Sequence, residues 1–415
     1  MKYKKAKLKD IIFFNPKETI KKNQLAKKIP MDALIPFTRK VGYYEVKEFN
    51  SGTKFRNNDT LIARITPCLE NGKTAYVNIL DEDEIAFGST EYFVLRADEN
   101  YILPKYLYYI SISDELRNTV IKSMTGTSGR QRAQKESVLD FEIELPSISI
   151  QKKVLSILDS IDSKIEVNNQ IISNLEELAS TLFKQWFVDF EFPDENGNPY
   201  KSSGGKMVDS ELGKIPEGWE VTNLEEISID IITGKTPNTK QKENYGEDIP
   251  FIKIPDMHNN TYIVQTETYL SKKGSDSQYK KLLPKDSICV SCIATPGLVS
   301  ITSVASHTNQ QINTILPKVE DLYFLYLDLK RKRNLIRELG SGGSTTLNLN
   351  KTQFGKINII NCGKREKMNF NKICEPLFSK ILLLQKSNIY LAKLRDSLLP
   401  KLLSGEIELP EYEEV

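Results

Sequence analysis

The chain has 415 residues, more than one hydrophobic core usually organises, so two or more domains are expected. With 39% hydrophobic and 27% charged residues it has the composition of a folded soluble protein, and it has no apolar run of about 18 residues to span a membrane. The N-terminus lacks an export signal, so a cytoplasmic location is expected, and five cysteines make no disulfide framework.

Net charge is only +2, but its distribution is uneven: residues 1–30 hold ten lysines against Asp10 and Glu18. Next, "NDTLIARITPCLENGKTAYVNIL" reads as strand, turn around Asn71-Gly72, and strand, and "FGSTEYFVLRA" as a further strand. Residues 104–123 are helical in pattern. The Gly/Ser/Thr loop "TGTSGRQR" and the strand "FEIELP" close a first domain expected over 1–149.

Residues 156–186 place apolar or small side chains at Leu158, Ile161, Ile165, Ile172, Leu175, Ala179, Leu182 and Trp186. The steps of 3, 4, 7, 3, 4, 3 and 4 form a heptad seam that skips one position, Asn168. A spacer helix is expected over 150–190, about 55 Å long for roughly 37 residues. Residues 191–218, rich in Gly, Pro, Ser and Asn, read as a loop linker.

In the second domain, 219–366, "DIPFIKIPDM", "DSICVSCIATP" and "QQINTILP" take the strand roles. "LYFLYLDLKRKRNLIREL" is the helix, "GSGGSTTLN" the loop and "KINII" the closing strand. A second long helix, 367–405, carries a comparable stripe. Pro376 is expected in its first turn, Pro400 to kink or loosen its end, and Gly405 to stop it. An acidic tail, 406–415, follows.

The chain repeats itself. Shifted by 216, residues 124–187 fall on 340–403 without a gap, matching Gly126/Gly342, Lys135/Lys351, Ile165/Ile381, Leu175/Leu391 and Leu182/Leu398. The same shift sets Tyr3, Leu8 and Ile11 on Trp219, Leu224 and Ile227. The expected architecture is two similar α+β domains, each followed by a long helix. The helices pair as an antiparallel coiled coil with pseudo-two-fold symmetry. The pairing residues are Leu158, Ile161, Ile165, Ile172, Leu175 and Leu182 against Leu377, Ile381, Leu384, Leu391, Leu394 and Leu398.

Searches for chemistry fail. Cys289 and Cys292 spell C-x-x-C, but on a strand residues three apart face opposite ways, and no second ligand pair exists. Gly234-Lys235-Thr236 resembles the end of a P-loop, yet position 229 is Ile where the motif needs Gly. Two histidines without a neighbouring nucleophile make no triad. Neither a catalytic residue nor a metal site is expected. What recurs is a loop of small and hydroxyl residues beside cations and amides, groups suited to phosphates and base edges.

"NDTLIARITPCLENGKTA" with "AFGSTEYFVLR" resembles one version of the target recognition domain of type I restriction-modification specificity subunits. "ITGKTP…IPFIKIPDM…LLPKDSICVSCIATPGLVSI…TNQQINTILP" resembles another. "PSISIQKKVLSILDSIDSKIEVNNQIISNLEELASTLFKQWFVDF" and "LAKLRDSLLPKLLSGEIELP" are similar to that family's two conserved helices, in the same order. One departure is "NCGKREKMNF" (361–370), where the first copy reads "PSISIQKKV".

The resemblance implies a non-catalytic subunit without cofactor, whose two domains each read half of a bipartite, asymmetric DNA site. The helices would set the gap and dock two modification (methyltransferase) subunits, which restriction subunits then join. S-adenosylmethionine, ATP and magnesium would belong to those partners. Candidate DNA contacts in the first half are Arg64, Lys73, Ser89, Thr90, Glu91, Thr125, Thr127, Ser128, Arg130, Arg132 and Lys135. In the second they are Lys235, Lys253, Asn309, Gln310, Gln311, Ser341, Ser344, Thr345, Thr346, Asn348 and Lys351. The competing readings are a stand-alone pseudo-dimeric DNA-binding regulator and a coiled-coil scaffold with no nucleic-acid role.

Overall fold

The computed structural model describes residues 3–127, 129–340 and 348–409, which form two compact units. The first comprises residues up to 165 together with those from 390 onward; the second is 166–389.

In the first unit, an antiparallel sheet has the order Ile12–Phe14, Tyr92–Ala97, Thr60–Ala63, Thr74–Tyr76. A second sheet runs Glu45–Glu48, Leu25–Ile29, Ala86–Gly88, Thr53–Phe55, with one parallel pair between Leu25–Ile29 and Ala86–Gly88. The second unit repeats the plan. Asp230–Thr233, Ile312–Leu316, Ile288–Ser291 and Val299–Thr302 form the antiparallel layer, extended by Tyr262–Ile263. In its other sheet Ile249–Ile252 pairs parallel with His307–Thr308.

The repeat keeps its register where the chain enters and leaves each domain. Lys4–Lys7 pairs with Glu142–Leu145, Lys4 opposite Leu145. Glu220–Asn223 pairs with Asn358–Asn361, Glu220 opposite Asn361, each residue 216 further on. Both long helices follow directly. The central helix spans Ile148–Phe187 and the C-terminal helix Lys364–Ser404, and 148 and 364 are again 216 apart. The divergent segment 361–370 therefore leaves the helix start unchanged.

Within each unit the two helices pack antiparallel. In the first, Leu158 shares a core with Leu399 and Leu402, and Asp162 meets Arg395 at 2.9 Å. In the second, Asn168 donates to Asn388 at 2.8 Å and Phe183 meets Phe370 edge to face at 6.1 Å. Later residues of one helix thus meet earlier residues of the other. Asn168, the position the heptad skips, lies in the seam and is fully buried.

Several sequence expectations need correction. Leu394, a chosen pairing residue, is 47% exposed, whereas Arg395 is 6% exposed and holds the inward place. Its aliphatic stem packs while its guanidinium finds Asp162. Cys374 and Phe378, which the pairing set leaves out, are fully buried. The central helix ends at Phe187 rather than 190, and the second starts at Lys364 rather than 367, which puts Pro376 in its interior. Pro376 is on the exposed face, where the carbonyl left without an N–H partner can meet water. The helix also runs through Pro400, and Gly405, at φ +76°, ends it as expected.

The linker is not simply loop. Met207–Ser210 and Gly213–Pro216 form a hairpin, and Phe192 stacks between Tyr200 and Trp219 at 4.6 and 4.9 Å. Aromatic anchors spaced among turn residues carry no period, so the packing is invisible in the pattern. "FGSTEYFVLRA" is two strands in different sheets, split at Ser89–Glu91. The helical stretch 104–123 breaks at Ser113, whose hydroxyl caps a second helix by accepting from the Leu116 N–H. Likewise 322–340 is two helices, Leu322–Arg331 and Arg333–Gly340. No described helix is long and apolar enough to cross a membrane.

Candidate nucleic-acid interface

The turn between Ala86–Gly88 and Tyr92–Ala97 holds the first cluster. The Ser89 hydroxyl accepts from the Glu91 N–H at 3.1 Å and the Ser89 carbonyl accepts from the Tyr92 N–H at 3.3 Å, which fixes Glu91 at the sheet edge. The Arg64 N–H donates to the Glu91 carbonyl at 3.0 Å, and Arg132 enters by a bridge between Ile65 and Arg132. Both guanidinium groups converge on the Glu91 carboxylate. Arg64 Nε lies 3.1 Å from Oε2, and Arg132 Nε and Nη2 lie 2.9 and 2.7 Å from Oε1. These bonds, Arg132's first, hold the Glu91 carboxyl below its ordinary range against the opposing effect of burial.

Arg132 belongs to a short hairpin in which Thr125 and Arg132 exchange backbone bonds at 3.0 and 2.9 Å. Thr127 and Arg130 lie further out on it, exposed, and Lys135 is exposed beside Glu136. Gln134, which no sequence pattern singles out, braces the loop by donating to Thr125 Oγ1 at 2.7 Å. Lys73 turns away from this cluster and donates to the Met31 carbonyl at 2.9 Å. Ser128, Ser341, Ser344, Thr345 and Thr346 lie outside the described residues.

In the second unit Asn309, Gln310 and Gln311 occupy the corresponding turn after His307–Thr308. Lys235 joins through its N–H to the Thr308 carbonyl at 3.0 Å, and Thr236 donates to Gln310 at 2.6 Å. A Cβ on Gly234 would lie 2.2 Å from the Asn309 carbonyl oxygen. The glycine of "GKT" thus serves close backbone approach, not a phosphate loop. Lys253 neighbours the turn, since the Asn309 N–H donates to the Ile252 carbonyl at 3.2 Å, although its ammonium also sits 3.6 Å from Glu267. Asn348 bridges to Ile293. Lys351 opens the helix Lys351–Gly355 and pairs loosely with Asp230 at 3.7 Å.

Buried ionisable groups elsewhere serve the fold. Asp59 is fully buried, but Arg96 grips both its oxygens at 2.7 and 2.8 Å, with Glu18 on the other side of Arg96. Cys289 and Cys292 fall in different core clusters, on opposite sides of their strand. Burial pushes their thiols up, to about 12 and about 11. At neutral pH both stay protonated and unreactive. A thiol reagent at pH 7.5 is therefore expected to label Cys68, which is half-exposed, and to reach the other four cysteines only after denaturation. Fast native labelling of Cys289 or Cys292, read by peptide mass, would contradict the buried strand.

Each unit also carries a groove with an apolar floor and charged residues among its lining, of about 410 Å³ in the first and about 550 Å³ in the second. Tyr108, Phe141, Leu399 and Leu403 line the former; Phe324, Ile357, Phe183 and Phe187 line the latter. Each matched pair is 216 residues apart.

The sequence model described as "Type I restriction modification DNA specificity domain" matches this chain twice, over residues 1–177 and 216–388. The chain belongs to the type I restriction-modification specificity subunits. It is 38% identical over 408 residues to the type I restriction enzyme HindI specificity subunit of Haemophilus influenzae, covering 85% of this chain and 87% of the relative. It is 28% identical to the MjaIX specificity subunit of Methanocaldococcus jannaschii, covering 75% and 70%. The fold is similar to a crystal structure of the type I restriction-modification S subunit from M. genitalium, with a TM-score of 0.55 at 16% identity, covering 99% and 97%. The family is the one that the recognition-domain motifs and the two long helices resemble.

Proposed function

We propose that each unit of this specificity subunit reads one half of a bipartite, asymmetric DNA site. In this reading the long helices set the gap and two methyltransferase subunits dock on the chain. The observation that carries it is the duplication: entry and exit strands repeat in the same register, and between them one turn-and-bridge arrangement, built twice, holds a different set of polar side chains in each unit. Two readers with different side chains suit two unlike half-sites. The matched grooves support a partner that binds twice. Restriction subunits would join afterwards, and S-adenosylmethionine, ATP and magnesium are assigned to the partners. The stand-alone regulator is not favoured, because the matches are to restriction-enzyme specificity subunits.

The test is domain exchange. Replacing residues 1–145 with the equivalent domain of a relative, in the assembled methyltransferase, is expected to change one half of the methylated sequence. The other half should persist. Genome-wide mapping of methylated bases reads both at once, and a change in both halves together would refute two independent readers.

A further inference from the structure

The two turns correspond bond for bond. The Arg64 N–H donates to the Glu91 carbonyl at 3.0 Å, as the Cys292 N–H does to the Gln311 carbonyl at 2.9 Å. Ile65 bridges to Arg132 as Ile293 does to Asn348. The Glu91 N–H donates to Ser89 Oγ at 3.1 Å, and the Gln311 N–H to Asn309 Oδ1 at 3.1 Å. One place in the fold is therefore filled by Arg64, Glu91 and Arg132 in the first unit and by Cys292, Gln311 and Asn348 in the second.

We propose that Glu91 is a positioning residue, holding Arg64 so that its outer edge reads a guanine in the half-site of the first unit, while the second unit reads with neutral amides at the same place. This rests on the reading of each unit as a DNA reader. Glu91 is 19% exposed at its side chain, against 35% for Arg64 and 46% for Arg132, so the carboxylate sits behind the cations rather than in front of them. It takes the Nε of Arg64 and the Nε–Nη2 edge of Arg132. Among the described residues, Nη1 and Nη2 of Arg64 keep no hydrogen-bond partner, and that pair is the fork that matches guanine O6 and N7. An arginine fixed in advance loses less freedom on binding than a free one, and it presents its donors in one direction. Without the carboxylate Arg132 would swing free and Arg64 would keep only its place over the Phe93 ring, 5.6 Å from the centroid, which leaves its donor edge undirected, good for phosphates and poor for bases.

The experiment uses the full chain assembled with its methyltransferase subunits, a randomised DNA duplex library selected by binding, and binding titrations at several salt concentrations. The wild-type complex is expected to select a two-part sequence. Glu91→Gln should lower the preference for guanine at one position of one half by about tenfold or more, leaving the other half intact. Non-specific affinity and its salt slope should stay level or rise, because two cations are released from a carboxylate. Arg64→Ala should relax the same position. A purely structural role for Glu91 would instead weaken every position of the first half alike, with no particular loss at the guanine, and that result would overturn the proposal. So would an unchanged preference in either variant. If the wild-type complex selects no sequence at all, the DNA-reading function itself falls, and this inference with it.

Discussion

Arg395→Leu is expected to destabilise the chain by about 3–5 kcal/mol, the cost of leaving a buried charge without its partner. Arg395 is 6% and Asp162 4% exposed, their charged groups lie 2.9 Å apart, and Tyr109 donates to the other Asp162 oxygen at 2.7 Å. Burial alone would lower the Arg395 guanidinium, but the Asp162 and Asp396 carboxylates more than offset it, and its affinity for the proton is raised. Removing the cation strands a carboxylate between the two helices. Asp162→Leu combined with Arg395→Leu should recover most of the loss, since a buried ion pair replaced whole by apolar groups is often neutral. Leu394→Ala, at a half-exposed position, should cost far less than the single arginine change. Urea unfolding of the four proteins decides it. If the double substitution is as unstable as the single one, the pair is not the reason Arg395 matters.

Inserting four residues after Asn169 should lengthen the gap between the two half-sites by about two base pairs. Four residues add roughly 6 Å along a helix and a little over one turn, and DNA rises about 3.4 Å per base pair. The facing side is nearly preserved, although the heptad is interrupted. The insertion falls beside the Asn168–Asn388 hydrogen bond, so one asparagine layer must re-pair, at a cost in stability. Two inserted residues should do worse, turning the seam by about 200° and carrying Ala179, Phe183 and Trp186 away from the core that now buries them. Methylation mapping of both variants reads the gap directly. An unchanged gap in the four-residue variant would mean that the helix does not set the spacing.

The frame of the protein is legible in its amino-acid sequence. A shift of 216 locates both long helices and the strands that enter and leave each domain, because heptad stripes and closing strands are local patterns that survive divergence. It also points to the hydroxyl- and cation-rich loop of the first half, where Thr125 and Arg132 exchange backbone bonds. What lies beyond it is every feature that depends on residues far apart in sequence. The heptad stripe ranks Leu394 above Arg395, since nothing nearby says that Asp162, 233 residues earlier, waits to neutralise a buried guanidinium. In the sequence Glu91 looks like one more polar residue in "GSTE". Only pairing of the strands around it brings Arg64 and Arg132 onto its carboxylate and turns three scattered charges into one fixed group. The linker hairpin and the role of Gly234 are hidden for the same reason. Hydrophobic period is written along the chain, whereas the partner of a buried charge or a close backbone contact is chosen by the fold.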